Sequence, residues 1–215
     1  GRVQLFEPPP ADFDLLRASD DALLKFGLPR RPNDKFAPEV YRVWAEMLSK
    51  PLKIMPPVFT FDPSYQLHLP RASSRGANNA AQAAAGGFRR VESSLNWSGA
   101  YITPRRPNRF DMALGSWTIP TPTLPPSIRG KKQPDDGDYR ASTWIGIDGH
   151  QQYPGASLPQ IGTTQQIELA DGKRTTTYSA WWQWWAKGQN IFPIVFDQAT
   201  MPIAAGDRII AMIVV

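Results

Sequence analysis

Ser142-Thr143-Trp144-Ile145-Gly146-Ile147-Asp148-Gly149-His150, Leu158-Pro159-Gln160-Ile161-Gly162 and Tyr178-Ser179-Ala180-Trp181-Trp182-Gln183-Trp184-Trp185 all fall within residues 142–185. Five of the chain's eight tryptophans are here, interleaved with a carboxylate, a histidine and an amide. The segments read as β-strands, in which successive side chains point to opposite faces. Trp181, Gln183 and Trp185 then share one face of their strand, and Trp182 and Trp184 the other. One face can build a core. The opposite face is left as an aromatic floor.

The surrounding chain fits that reading. It contains 22 prolines and 16 glycines in 215 residues and is 41% hydrophobic. Proline breaks helices and cannot donate to a ladder, so a helical bundle is disfavoured and short strands joined by many turns are favoured. Strands are expected at Leu95–Ile102, Phe110–Ile119, Ala141–Ile147, Gln160–Leu169, Thr175–Trp185 and Arg208–Val215. A polar, charged loop is expected at 127–140. Ala170-Asp171-Gly172-Lys173 carries the Asp-Gly signal of a tight hairpin. The fold class expected is all-β, an antiparallel β-sandwich of jelly-roll or concanavalin-like type with a partly helical N-terminal extension. No internal repeat is visible.

Three regions are expected: an extension at 1–70, a flexible linker at 71–90 and the sandwich at 91–215. In the extension, Ser19 reads as an N-cap, Asp20 and Asp21 favour the first turn, and Gly27 with Pro29 ends the helix. A second helix is expected from Pro38 to about Ser49, with Val40, Val43, Trp44, Met47 and Leu48 on one stripe. Residues 51–70 read as extended and proline-punctuated. Residues 71–87 hold no large apolar side chain to offset the entropy of ordering. A removable propeptide over residues 1–87, cut near Phe88, is the corresponding expectation. The terminal apolar strand Ile209–Val215 needs neighbours. Either another chain covers it or the natural sequence continues, and continuation is expected.

The formal charge is +5, but residues 1–90 hold 13 basic and 9 acidic residues while residues 91–215 hold 11 and 10. A nearly neutral strand region argues against a nucleic-acid partner. No apolar run approaches a membrane span. With no cysteine there is no disulfide, thiolate metal site or cysteine nucleophile. His68 and His150 are the only histidines, which disfavours a triad or a metal centre, and His150 after Asp148-Gly149 reads as a turn residue. What remains is an amide. Gln160 could donate to a carbonyl as negative charge develops on it, with a carboxyl group activating water and protonating the leaving nitrogen. The plainer reading of Gln160 is the polar face of a strand.

Several segments resemble the glutamic peptidases (eqolisins). Asn96-Trp97-Ser98-Gly99-Ala100 is similar to that family's Asn-Trp-x-Gly-Ala, and Thr143-Trp144-Ile145-Gly146-Ile147-Asp148-Gly149 to its Ala-Trp-Val-Gly-Ile-Asp-Gly. Leu158-Pro159-Gln160-Ile161-Gly162 resembles the Leu-Gln-Thr-Gly element that carries the catalytic glutamine. Tyr178–Trp185 resembles Tyr-Asp-Ala-Trp-Tyr-Glu-Trp-Tyr, and Gly206-Asp207-Arg208-Ile209 resembles Gly-Asp-x-Ile. The resemblance covers residues 95–215 and implies a sandwich of two antiparallel sheets and a secreted, acid-active endopeptidase acting on polypeptide without metal or other cofactor. Gln160 would be catalytic. Trp144, Asp148, Trp182 and Trp184 would line the substrate cleft.

Three positions lose an acid relative to the family: Thr164 and Ser179 stand for aspartates, and Gln183 stands for a glutamate. The catalytic glutamate belongs to a later strand, beyond Gly206–Ile209. Residues 91–215 offer only Glu92 and Glu168, and neither takes that role. The 215 residues alone are therefore expected to be inactive, with a second chain or a C-terminal continuation completing the site. Two alternatives stay open: a carbohydrate- or peptide-binding sandwich, since stacked tryptophans suit pyranose rings, and an inactive peptidase homologue.

Overall fold

A computed structural model describes residues 6–50, 52, 55, 57–61, 98–104, 107, 109–130, 136–149, 155–187 and 192–214. The chain divides into two compact units, Gly1–Asp62 with Phe110–Val215 in one and Pro63–Arg109 in the other.

The first unit begins with helices α1 (Asp20–Lys25) and α2 (Pro38–Leu48). Ser19 Oγ accepts from the Ala22 N–H at 3.2 Å, which satisfies one of the unpaired donors of the first turn. The chain turns away at Gly27, whose φ of +68° suits glycine. Pro38 opens α2 where a missing N–H does no harm. Leu23, Trp44 and Leu48 close a small core, and the Trp44 indole N–H donates to the Pro29 carbonyl at 3.2 Å.

Seven strands follow: β1 (Phe59–Phe61), β2 (Met112–Thr118), β3 (Gly137–Gly146), β4 (Ser157–Ala170), β5 (Lys173–Ala186), β6 (Ile194–Phe196) and β7 (Arg208–Val214). They form two antiparallel sheets, one in the order β1-β6-β5-β4-β3 and the other pairing β2 with β7. The fold is all-β, as expected. Asp171 and Gly172, at φ +51° and +71°, make the two-residue turn that joins β4 to β5.

Two specific contacts show how the sheets meet. A Cβ on Gly115 of β2 would lie 2.5 Å from Ile145 Cγ2 of β3, so only glycine permits that approach. The Trp117 indole N–H donates to Thr163 Oγ1 at 2.9 Å. The face of the larger sheet carrying Ile145, Thr163 and Ile167 is thus the one packed against β2 and β7. Thr163 and Ile167 are fully buried there. Arg208 of β7 bonds Ser116 Oγ at 3.2 Å and forms an ion pair with Glu46 of α2.

The expected strand at Leu95–Ile102 is not found where residues are described. Residues 98–104 form neither strand nor helix, and Ile102 is 78% exposed, so its alternation buries nothing. Leu95, Asn96, Trp97 and residues 71–90 lie outside the described residues, as do His68 and His150. The last residues of the expected loop 127–140 are strand instead. Gly137–Arg140 pair with Leu169–Gln166 because β4 is long enough to template them.

Candidate active site

Residues directly opposite in an antiparallel ladder share a face. Across β3, β4 and β5 the rows read Gly146–Gln160–Gln183, Trp144–Gly162–Trp181 and Ser142–Thr164–Ser179. Leu158 opposite Trp185 precedes them. This face is turned away from Thr163 and the second sheet. It brings Gln160, Trp144, Trp181, Gln183 and Trp185 together.

The local sequence explains the gathering. A Cβ on Gly162 would sit 2.5 Å from the Thr143 carbonyl oxygen, 2.6 Å from Trp144 Cβ and 2.9 Å from Trp181 Cζ2. Glycine therefore lets the two indoles close over the middle of β4. Leu158, Ala156 and Trp185 form a buried cluster with Trp144 against it. Pro159 lies near the start of β4, where β3 is ending, so its missing N–H interrupts little of the ladder.

Gln160 is only 9% exposed and Gln183 2%. Gln160 Nε2 donates to Gln183 Oε1 at directly paired positions. Two rows away the site is hydroxylic: Ser142 Oγ lies 2.5 Å from Thr164 Oγ1, and Thr164 is opposite Ser179. The indole N–H groups of Trp181 and Trp185 are buried with no partner among the described residues. Buried donors of this kind are uncommon and energetically unfavourable, so each calls for an explanation.

The expected cleft residues separate. Trp144 shares the face of Gln160. Asp148 lies beyond the end of β3, exposed, at φ +69° in a turn completed by Gly149 at +88°. Trp182 and Trp184 were expected beside Gln160 in the cleft, and the register places them on the opposite face. Trp182 packs edge-on to Phe59 at 6.2 Å, and Trp184 is 57% exposed. The cause is register: pairing Gln160 with Gln183 puts the odd-numbered residues of β5 on its face. Gln183 itself was not among the expected site residues. Counting ten residues back and forward from the turn pair Ala170–Lys173 reaches Gln160 and Gln183, so the hairpin held the signal.

Glu168 also faces the Gln160 side, but eight residues along β4, roughly 26 Å away at strand rise. Among the described residues no three His, Cys, Asp or Glu side chains gather as a metal site. No helix there is long and apolar enough to cross a membrane.

The model of the Peptidase A4 family matches residues 95–215, more than half of the chain. No curated protein and no solved structure matches it.

Proposed function

The chain belongs to the Peptidase A4 family, and from that premise we propose that it serves an acid-active glutamic endopeptidase in which Gln160 polarises the scissile carbonyl. The carboxamide would donate a hydrogen bond as that oxygen gains negative charge, the kind of preoriented donor whose removal typically lowers kcat by about 10²–10³. The observation that carries the reading is the buried Gln160 carboxamide, held by Gln183 on a face it shares with Trp144, Trp181 and Trp185. Such surroundings lower the local dielectric and strengthen the hydrogen bond to a developing oxyanion. The two indole donors, which have no partner among the described residues, suit a ligand rich in carbonyl acceptors, as a polypeptide backbone is.

Hydrolysis also needs a carboxyl group to activate water and protonate the leaving amine. Glu168 is too distant for that role, and we propose that the acid comes from polypeptide outside the described residues, in this chain or in a second one. Trp144 and Asp148 are proposed to contact the substrate. Secretion, and removal of residues 1–87 as a propeptide, belong to the same proposal. The test is cleavage of a denatured protein at pH 2–5 with pepstatin present, comparing wild type with Gln160→Ala. A loss of about 10²–10³ in kcat/KM supports the assignment. Equal, measurable rates overturn it.

A second reading rests on Trp184, a residue 57% exposed on the opposite face that offers a platform for a sugar ring. Saturable quenching of tryptophan fluorescence by an oligosaccharide, abolished in Trp184→Ala, would favour it. Absence of any such response removes it.

A further inference from the structure

We infer that Gln183 is a positioning residue for Gln160: by accepting from Gln160 Nε2 it fixes which end of the catalytic carboxamide faces the substrate. This rests on the peptide-hydrolysis reading of Gln160.

The argument starts from the symmetry of a carboxamide. Its oxygen and nitrogen are nearly the same size, and its terminal torsion has two broad, nearly equivalent wells. Packing alone therefore leaves Gln160 free to present either end. The donor end would stabilise an oxyanion, and the carbonyl end would repel it. Selection between them needs a neighbour that presents an acceptor at the contact. Gln183 presents Oε1 there; being a carboxamide itself, it selects the donor end of Gln160 in this orientation, and Gln183→Glu, with oxygen at both terminal positions, removes the alternative.

Three features make this neighbour effective. It is directly opposite Gln160 in the β4–β5 ladder, so the backbone register holds the two side chains together. It is 2% exposed, so water does not compete for the bond. It is flanked on its own face by the buried side chains of Trp181 and Trp185, which restrict its motion. Gln160 Nε2 carries two hydrogens. One is held by Gln183, and the other remains to donate to the substrate carbonyl oxygen.

Gln183→Met tests the idea because it keeps length and volume but removes the acceptor. Gln183→Glu restores an acceptor oxygen at the same place. In the full-length protein, with folding verified by circular dichroism, Gln183→Met should lower kcat about tenfold to a hundredfold while KM stays within about twofold. Gln183→Glu should recover most of that loss. The second readout needs no turnover. The side-chain ¹⁵N–¹H₂ resonance of Gln160, identified by its loss in Gln160→Ala, should shift and exchange faster with solvent in Gln183→Met. A folded Gln183→Met variant with wild-type kcat overturns the inference, as does an unchanged Gln160 carboxamide resonance. If wild type hydrolyses no peptide yet the resonance responds to Gln183→Met, the positioning stands and the peptidase reading alone fails.

Discussion

Thr164 and Ser179 face each other directly across the β4–β5 ladder, both buried and on the face that carries Gln160. These two, with Gln183, are the positions at which glutamic peptidases carry acids, so three substitutions fall on one patch and all make it neutral. Thr164→Asp or Ser179→Asp should each destabilise the fold by about 1–3 kcal/mol at pH 7, because burial disfavours the charged form. The folded-state pKa of either new carboxyl would be raised above its unfolded value. The penalty is therefore small below the unfolded pKa and grows as pH rises toward the folded one. The double variant should be worse than the sum, since like charges directly opposite repel. Urea unfolding at pH 3.5 and pH 7 measures this. A variant as stable as wild type at both pH values would show that the patch tolerates charge.

Gly162→Ala should disturb the site through packing alone. The added methyl would meet the Thr143 carbonyl oxygen, Trp144 Cβ and Trp181 Cζ2, all closer than 3.0 Å. Overpacking of this kind typically costs about 1–3 kcal/mol. Thermal unfolding should show a lowered Tm and near-ultraviolet circular dichroism a changed tryptophan signal. Gly172→Ala is the control, because nothing lies within 4 Å of its Cβ. It carries only the strain of φ +71°, about 1 kcal/mol, and should leave the tryptophan signal intact.

These two predictions draw on different levels of what the sequence encodes. Alternation along β5 and the Asp171-Gly172 turn made the long hairpin legible, and Ser19 and Gly27 marked the ends of α1. Three-residue strands were not legible. Phe59–Phe61 and Ile194–Phe196 are too short for a period of two to register, and they exist because β6 pairs with β5 and β1 in turn pairs with β6. The candidate site was half legible. Gln160 and Trp144 emerged from their motifs, and the split of the β5 tryptophans between faces followed from parity. Which half belonged with Gln160 depended on cross-strand register, a property of two strands that no single segment displays.

β1 bears on the propeptide proposal. Phe59 lies 5.2 Å from the Phe196 ring and 6.2 Å from that of Trp182, and the Asp197 N–H donates to the Val58 carbonyl. Glu46 adds its ion pair with Arg208. A cut within residues 71–90 should therefore leave the N-terminal fragment bound, and the two pieces should elute together in native gel filtration and separate in urea. Phe59→Asp, which puts a charge against two aromatic rings, should release the fragment without denaturant. Immediate separation of the wild-type fragments would mean that β1 does not hold the extension to the sheet.

Glu168 tests the geometry from the side of the acid. It is the glutamate of β4, it faces the same side as Gln160, and by composition alone it competes for the role of general base. Eight residues of strand separate them, roughly 26 Å, whereas a general base must come within about 2.6–3.2 Å of the proton it takes, or reach it through one water. Its neighbours point the same way: it stands three residues before Asp171 of the exposed Asp171-Gly172 turn and is itself exposed. Wherever peptide hydrolysis by this protein is measurable, Glu168→Gln should keep kcat/KM within about twofold of wild type, since a surface substitution away from the site changes little. A fall of a hundredfold or more would bring Glu168 into the chemistry and would require β4 to bend or a second molecule to supply it in trans. Mixing Glu168→Gln with Gln160→Ala separates those cases, because only exchange between chains could then restore the rate.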